Sequence, residues 1–162
     1  MAVLLSACSN VQPQRPSQRK RAAAEVDTAQ LVLLEMNRQL AEAADEQIQR
    51  MAREQSESYA LYEHGVWAYV EDRGEADQPI QAGDELTLHM TVFSLAGKRY
   101  TDSELTVRAG KYELPAAIDD NITEWHHGAQ VRLFAPWYAA YGMKGTEYIP
   151  PYENIIIELK IR

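Results

Sequence analysis

The sequence predicts an α+β fold, in which a twisted antiparallel sheet wraps one short helix and a long helix precedes the sheet. Apolar and polar residues alternate strictly at positions 86–92, which is typical of a strand with one buried face. The β-branched run at positions 155–161 predicts a further strand. Apolar residues recur every three or four positions from 33 to 51, which predicts an amphipathic helix.

The first eight residues have the pattern of a lipoprotein signal. Positions 5–8 read Leu-Ser-Ala-Cys, which resembles the bacterial lipobox, where small residues precede the cysteine that receives lipid. Cys8 is the only cysteine, so an intrachain disulfide is excluded. Only seven residues precede it and none is Lys or Arg, which predicts either a start further upstream or an incidental cysteine in a short terminus. We expect the first. Lipid on Cys8 would anchor the protein to a membrane of the cell envelope, as in outer-membrane lipoproteins, with the periplasmic or surface side left open.

Residues 9–26 are predicted to be a flexible tether, because Pro, Gln, Ser and Arg dominate them. Residues 27–60 follow as a helical extension, since they contain no Gly or Pro and carry an apolar stripe that includes Leu33, Met36, Leu40 and Ile48. Two interpretations of the stripe stay open. Either it packs on the chain's own sheet domain, or it pairs with a second copy of the chain or with an envelope complex.

The net charge and the lengths of the apolar runs argue against a nucleic-acid partner and against a membrane-spanning helix. The formal net charge is −8, and binding to nucleic-acid phosphates needs a basic face, so no nucleic-acid partner is expected. The chain has no run of eighteen apolar residues, which predicts that no segment spans a membrane as a helix.

The remaining segment, 65–162, is predicted to be one sheet-rich domain. Positions 66–70 alternate as a strand, and Gly97 suits a hairpin turn. Pro115 suits the first turn of a short helix that places Ile118 and Ile122 on one face.

Two motifs near the C-terminus form a recognisable pair. After Ala140-Tyr141-Gly142 come six intervening residues, then Ile149-Pro150-Pro151 and a last strand, and the two prolines stiffen the loop's exit. Upstream, positions 96–103 read AGKRYTDS, which is a third recognisable segment. Residues 65–162 thus resemble the FKBP family of peptidyl-prolyl cis-trans isomerases. The resemblance implies the fold described above and an isomerase that acts on proline-containing polypeptides without a nucleophile, metal or cofactor.

The resemblance also implies a set of site residues. Tyr100 takes the position of an aromatic wall, and Tyr141 that of a hydroxyl donor. Thr101 stands where an acidic residue is expected, and Asp102 can replace it if the hairpin is bulged. The residues expected to be catalytic are Tyr141, Tyr100 and Asp102. Those expected to bind substrate are Met90, Leu114, Ile118, Tyr148, Ile149 and Ile157.

Several positions depart from the family's pattern. Met90, Ile118 and Ile157 replace aromatic residues, and Pro115 stands where the family uses a backbone N–H to bind the substrate carbonyl, although proline has none. Two hypotheses therefore compete. The first is an isomerase that assists folding of exported envelope proteins, and the second is a catalytically weak binding module that serves as an accessory subunit of an outer-membrane complex.

Overall fold

The computed structural model describes residues 18–75 and 77–162, and the side chains from Thr28 onward. The predicted signal and Cys8 lie outside the described residues. Two short 3-10 turns, at Glu63–Gly65 and Ile122–Glu124, join the larger elements. In chain order these are α1 (Gln18–Arg53), β1 (Ala60–Leu61), β2 (Trp67–Asp72), β3 (Glu85–Ser94), β4 (Arg99–Arg108), α2 (Ala116–Asp119), β5 (Gln130–Ala135) and β6 (Ile155–Ile161).

The strands form a six-stranded sheet in the order β1-β2-β5-β6-β3-β4, and every neighbouring pair is antiparallel. β6 therefore lies in the interior of the sheet. One of its faces is buried along the whole strand, whereas on the other face Ile156 is buried and Glu158 and Lys160 are exposed, so only the first three residues form a continuous apolar run. This arrangement confirms the α+β fold predicted from the sequence.

A bulge interrupts the β3–β4 hairpin at Tyr100. Val92 pairs with Thr101 while Phe93 pairs with Arg99, so Tyr100 has no partner residue on β3. A bulge of this kind changes which side chains face each side of the sheet. The hairpin is thus bulged, as the interpretation of Asp102 required.

The main apolar core lies on the sheet face that packs against α2. Leu88, Val92, Leu133 and Ile157 point into it from three strands, β3, β5 and β6, and each is fully buried. Ile118 of α2 is also fully buried in this cluster. Burial of an aliphatic side chain of this size contributes about 1.5–3 kcal/mol to folding.

A second, smaller core involves the C-terminal half of α1. The chain divides into two compact units, 1–37 and 38–162, and the second unit contains this half of the helix. Ile48 and Ala52 are buried against Phe134 and Ile156. The Trp137 indole N–H donates to the Leu40 carbonyl over 3.4 Å. Of the two open interpretations of the stripe, packing on the chain's own domain therefore holds for Ile48 and Ala52, whereas Leu40 is 43% exposed.

The helix differs from its predicted bounds at both ends. It begins at Gln18, so residues 18–26, which were predicted to belong to the tether, are helical. Residues 22–24 are all alanine, the residue type with the highest helix propensity, which favours a helix here over a flexible tether. The helix ends at Arg53 rather than at residue 60, and the chain re-enters the sheet at Ala60.

Within the described residues, no helix has both the length and the apolar character that crossing a bilayer requires.

Candidate functional site

The loop between β5 and β6 carries both C-terminal motifs, and backbone hydrogen bonds close it. The Gly142 N–H donates to the Trp137 carbonyl over 2.8 Å, and the Tyr152 N–H donates to the Gly142 carbonyl over 3.1 Å. Gly142 adopts φ +70°, a conformation that favours glycine. The loop therefore brings the chain just beyond Pro151 back to Gly142.

Ile149 is held inside this loop by a turn centred on Thr146. The Thr146 N–H donates to the Ile149 carbonyl over 2.8 Å, and the Thr146 hydroxyl accepts the Ile149 N–H over 3.1 Å. Only 2% of Ile149 is exposed, and it joins the main core. The exposed Thr146 thus directs the isoleucine side chain inward.

Tyr141 offers a neutral hydroxyl at the edge of the same core. It is half-buried and packs against the main cluster. Burial raises the pKa of its hydroxyl above the usual value near 10, because the phenolate loses solvation. No group among the described residues takes up this hydroxyl in a hydrogen bond. Its proton is therefore available to an external acceptor.

The apolar surface beside Tyr141 is built by β3, β6, α2 and the loops that carry Leu114 and Ile149. The Ala117 N–H donates to the Ala139 carbonyl over 2.8 Å, which fixes α2 against the segment that precedes Tyr141. The buried side chains that the sequence predicted for substrate binding and that the structure collects in this one cluster are Met90, Leu114, Ile118, Ile149 and Ile157.

Tyr100 closes another side of the cluster through an acidic partner that the sequence did not reveal. Its hydroxyl donates to the Glu153 carboxylate over 2.8 Å, and the Lys98 ammonium lies 5.2 Å from the centre of its ring. Partial burial first, and the bond to Glu153 second, raise the pKa of Tyr100. The only signal in the sequence was an acidic residue two positions after Pro151, and β4 is far from it along the chain. We conclude that Glu153 joins the loop to the hairpin.

Asp102 and Tyr148 lie outside this arrangement. The bulge lets Tyr100 face the core, but Asp102 then pairs with Thr91 on the opposite face of β4. Its carboxylate accepts from His89 over 2.9 Å and from Arg99 over 3.2 Å. The interpretation that Asp102 fills the acidic position is therefore corrected, because the strand directs it away from Tyr141. Tyr148 is 63% exposed and contributes nothing to the buried cluster.

Pro115 has a structural role beside the cluster. Its carbonyl accepts the N–H groups of Ile118 over 2.9 Å and Asp119 over 3.0 Å, which starts α2. The Asp119 carboxylate accepts the Tyr112 N–H over 2.8 Å and so fixes the preceding loop. Because Pro115 lacks an N–H, the chain offers no donor at this position.

In the part of the chain that the structure describes, no three His, Cys, Asp or Glu side chains are grouped to hold a metal ion. The site described above is apolar, with hydroxyl groups at its edge.

The fold and this cluster define a domain that packs apolar side chains between an antiparallel sheet and a short helix, with the Tyr141 hydroxyl at the edge. Residues 76–162 match the family model described as FKBP-type peptidyl-prolyl cis-trans isomerase. The match covers more than half of the chain, and the protein therefore belongs to this family.

Two solved structures show the same fold. FkpA from Escherichia coli aligns with a TM-score of 0.62 and 17% identity, over 89% of this chain and 69% of that chain. AtFKBP13 aligns with a TM-score of 0.56 and 19% identity, over 63% of this chain and 94% of that chain. A search of curated proteins found no match.

The chemistry of this family needs no covalent step. Rotation about an X-Pro amide has a barrier of about 18–20 kcal/mol, which amide resonance sets. A water-poor apolar surface favours the twisted amide, which has lost resonance and its charge separation, and a placed donor can bind the rotated carbonyl. The cluster around Ile149 can supply the surface, and the Tyr141 hydroxyl can supply the donor.

The turn at Thr146 leads to a specific prediction for Gly145→Ala. Gly145 has φ +63°, and a Cβ there would lie 2.2 Å from the Ile149 carbonyl oxygen, so the turn must open. We expect isomerase kcat/KM to fall about tenfold. Gly142→Ala is the matched control, because Gly142 also has positive φ but a Cβ there meets nothing within 4 Å. Equal losses in the two variants would show that backbone strain, not displacement of Ile149, is responsible.

Proposed function

We propose that this isomerase assists the folding of exported proteins while anchored in the cell envelope through lipid on Cys8. The observation that carries the proposal is the Leu-Ser-Ala-Cys run at positions 5–8. A lipidated cysteine with more than one acyl chain would hold the domain at a membrane, whereas a single chain gives only marginal binding. Proline-containing polypeptides that emerge unfolded at that membrane are the substrates that such an isomerase would meet.

Metabolic labelling with a fatty-acid analogue tests the anchor directly. We expect the protein, expressed in a bacterial host with its own leader, to take up the label and to fractionate with membranes. Cys8→Ser should abolish both, because the chain has no other thiol. Ser9→Ala is the control and should label fully. Label retained in Cys8→Ser would refute lipidation at this residue.

A second candidate is that the domain acts mainly by binding, as an accessory subunit of an envelope complex. Pro115 favours this reading, since it removes a donor whose net contribution is about 0.5–1.5 kcal/mol, or up to about tenfold in rate. A protease-coupled assay on short X-Pro peptides separates the two candidates. Measurable acceleration supports the folding role, whereas peptide binding without acceleration supports the binding module.

The apolar stripe on α1 supports a further part of the proposal, namely that two copies of the chain associate through this helix. Leu33 is 55%, Met36 54% and Leu40 43% exposed, which is unusual for three large apolar side chains that share one helix face. We propose that the same stripe of a second copy covers them.

Introduction of charge into the stripe should separate the copies. The double variant Leu33→Glu/Met36→Glu is expected to halve the mass measured by light scattering at micromolar concentration. Leu31→Glu is the matched control: Leu31 is 66% exposed, but it lies about 200° around the helix from Leu33. A parent protein that is already monomeric, or a monomeric Leu31→Glu variant, would contradict pairing through this stripe.

A further inference from the structure

The edge of the sheet opposite the hairpin contains an unfinished strand pair. β1 pairs with β2 over two residues only, Ala60 with Ala68 and Leu61 with Trp67. The Tyr62 N–H donates to the Val66 carbonyl over 2.7 Å. Because the N–H and C=O groups of a strand alternate between its two sides, Ala68 and Val70 also present theirs toward β1.

The pairing between β1 and β2 stops before it reaches Val70 of β2. Continuation of the register would place Ser58 opposite Val70, but Ser58 lies outside β1 and the two segments part there. Among the described residues, no backbone hydrogen bond reaches Val70 from this side. Val70 therefore presents an open N–H and C=O at the sheet edge, which is a template for another extended chain.

A cavity of about 340 Å³ opens between the parted segments. Its lining includes Ser58, Ala60, Val70, Trp125 and Ala129, and we call it the fork cavity. Its apolar walls come from the same sheet face as the main core, while Arg73 and Glu124 add one charge of each sign. The lining therefore suits an uncharged group more than an ion.

Trp125 lines the fork cavity and carries a polar group that has no partner among the described residues. Only 2% of Trp125 is exposed, and its indole N–H is buried from solvent without a hydrogen-bond acceptor. A buried donor that stays unpaired destabilises the state that contains it. A peptide carbonyl in the cavity that displaced the Trp125 ring enough to reach this N–H would relieve this.

We propose that the fork cavity and the open edge at Val70 bind an extended segment of an unfolded polypeptide. The segment's backbone pairs with Val70, one apolar side chain enters the cavity, and a carbonyl of the segment accepts the Trp125 N–H. Recognition of this kind uses main-chain hydrogen bonds for affinity and a pocket for one side chain. It requires no proline.

The position of this second subsite suits the isomerase reaction. β2 is two strands from β6, so the fork cavity lies about 10 Å across the sheet from the strand that carries Ile157. A straight extended chain covers that distance in roughly three residues, and a chain that passes round α2 needs more. A client segment held at Val70 would thus keep a nearby proline close to Tyr141, which raises its local concentration.

The test uses the full chain and a fluorescent, proline-free decapeptide of Thr, Val and Ser. Fluorescence anisotropy should show saturable binding to the parent. Ala60→Trp should weaken binding tenfold or more, because Ala60 is exposed and its new ring would fill the fork cavity. Leu61→Trp is the matched control: Leu61 is also exposed, but its side chain lies on the other face of the same short strand. Both variants should retain isomerase activity on tetrapeptides.

Trp125→Phe adds a readout that a purely structural role would not produce. Removal of an unpaired buried N–H should leave the thermal midpoint of the free protein unchanged or higher, while decapeptide binding falls several-fold. Three results would each overturn the proposal: no binding to the parent, equal losses in Ala60→Trp and Leu61→Trp, or unchanged affinity in Ala60→Trp. A parent protein that does not isomerise tetrapeptides would contradict the assignment of the isomerase pocket and not the proposal for the fork cavity.

Discussion

Replacement of Ile149 by alanine will lower kcat/KM for X-Pro peptides by tenfold or more. The side chain is buried in the apolar cluster beside Tyr141, and truncation to alanine removes three carbons, each of which contributes about 0.8 kcal/mol when buried. A loss of about 1.4 kcal/mol already corresponds to a tenfold change in rate. Stopped-flow isomerisation assays, run below the thermal midpoint of the variant, measure the effect.

Tyr148→Ala is the adjacent control. Tyr148 is 63% exposed and should matter less than twofold. This comparison also tests the prediction that Tyr148 binds substrate. Comparable losses in the two variants would mean that the loop, and not the buried cluster, contacts the proline ring.

The rate should be flat between pH 6 and 8, because the Tyr141 hydroxyl, the donor expected at this site, stays neutral throughout this range. Burial raises its pKa above the usual value near 10, so the proton stays on the oxygen throughout this range. The same shift sets the sign for stability: the folded state holds the proton more tightly, so this contribution is complete below pH 10 and is lost as pH rises through the folded pKa. Tyr141→Phe should cost a few-fold in kcat/KM. A bell-shaped profile centred near pH 7 would indicate proton transfer instead.

Ile48→Ala should lower the free energy of unfolding by about 2–5 kcal/mol, the usual cost of such a truncation in a core. Ile48 is fully buried against Phe134 and Ile156, so the helix completes a core of the sheet domain. Urea denaturation of the full chain measures the change. Leu31→Ala is the control on the same helix and should change stability by less than about 0.5 kcal/mol, because Leu31 is 66% exposed and lies outside the proposed pairing stripe.

The same contacts bear on truncation. A chain that begins at Ser58 would keep every strand and α2. That chain would expose Phe134 and Ile156 and would lose the bond between Trp137 and the Leu40 carbonyl. We therefore expect it to lose cooperative unfolding. A Ser58 chain with the parent's denaturation midpoint would show that the helix only covers the domain.

Most of the fold could be predicted from local patterns, because they are direct consequences of burial. The alternation at 86–92 reflects the two faces of β3, and the apolar run of β6 reflects its central place in the sheet. Pro115 started α2 as expected. The packing of α1 on the sheet was harder to predict. A stripe of Leu, Met, Ala and Ile does not show which of its residues contact Phe134, because Phe134 lies far along the chain.

The apolar part of the site could likewise be predicted, because the Tyr-Gly and Ile-Pro-Pro motifs fix a loop with its own hydrogen bonds. Met90, Leu114, Ile118 and Ile157 came together because each lies on an inward-facing position. Two polar residues could not be placed. Whether Asp102 faces in depends on the residue count of one bulge, and Glu153 meets Tyr100 only through a contact across the fold.

The bulge at Tyr100 also determines which insertions and deletions the hairpin can accept. With it, Leu105 and Val107 pair with Leu88 and Leu86 on the inner face, while Asp102 faces outward. Loss of any one residue from the turn would reverse this parity along the whole of β4, turning carboxylates toward the core and apolar side chains toward solvent. Loss of two residues would preserve it. We therefore expect insertions and deletions in this hairpin to involve even numbers of residues, however freely its exposed side chains vary.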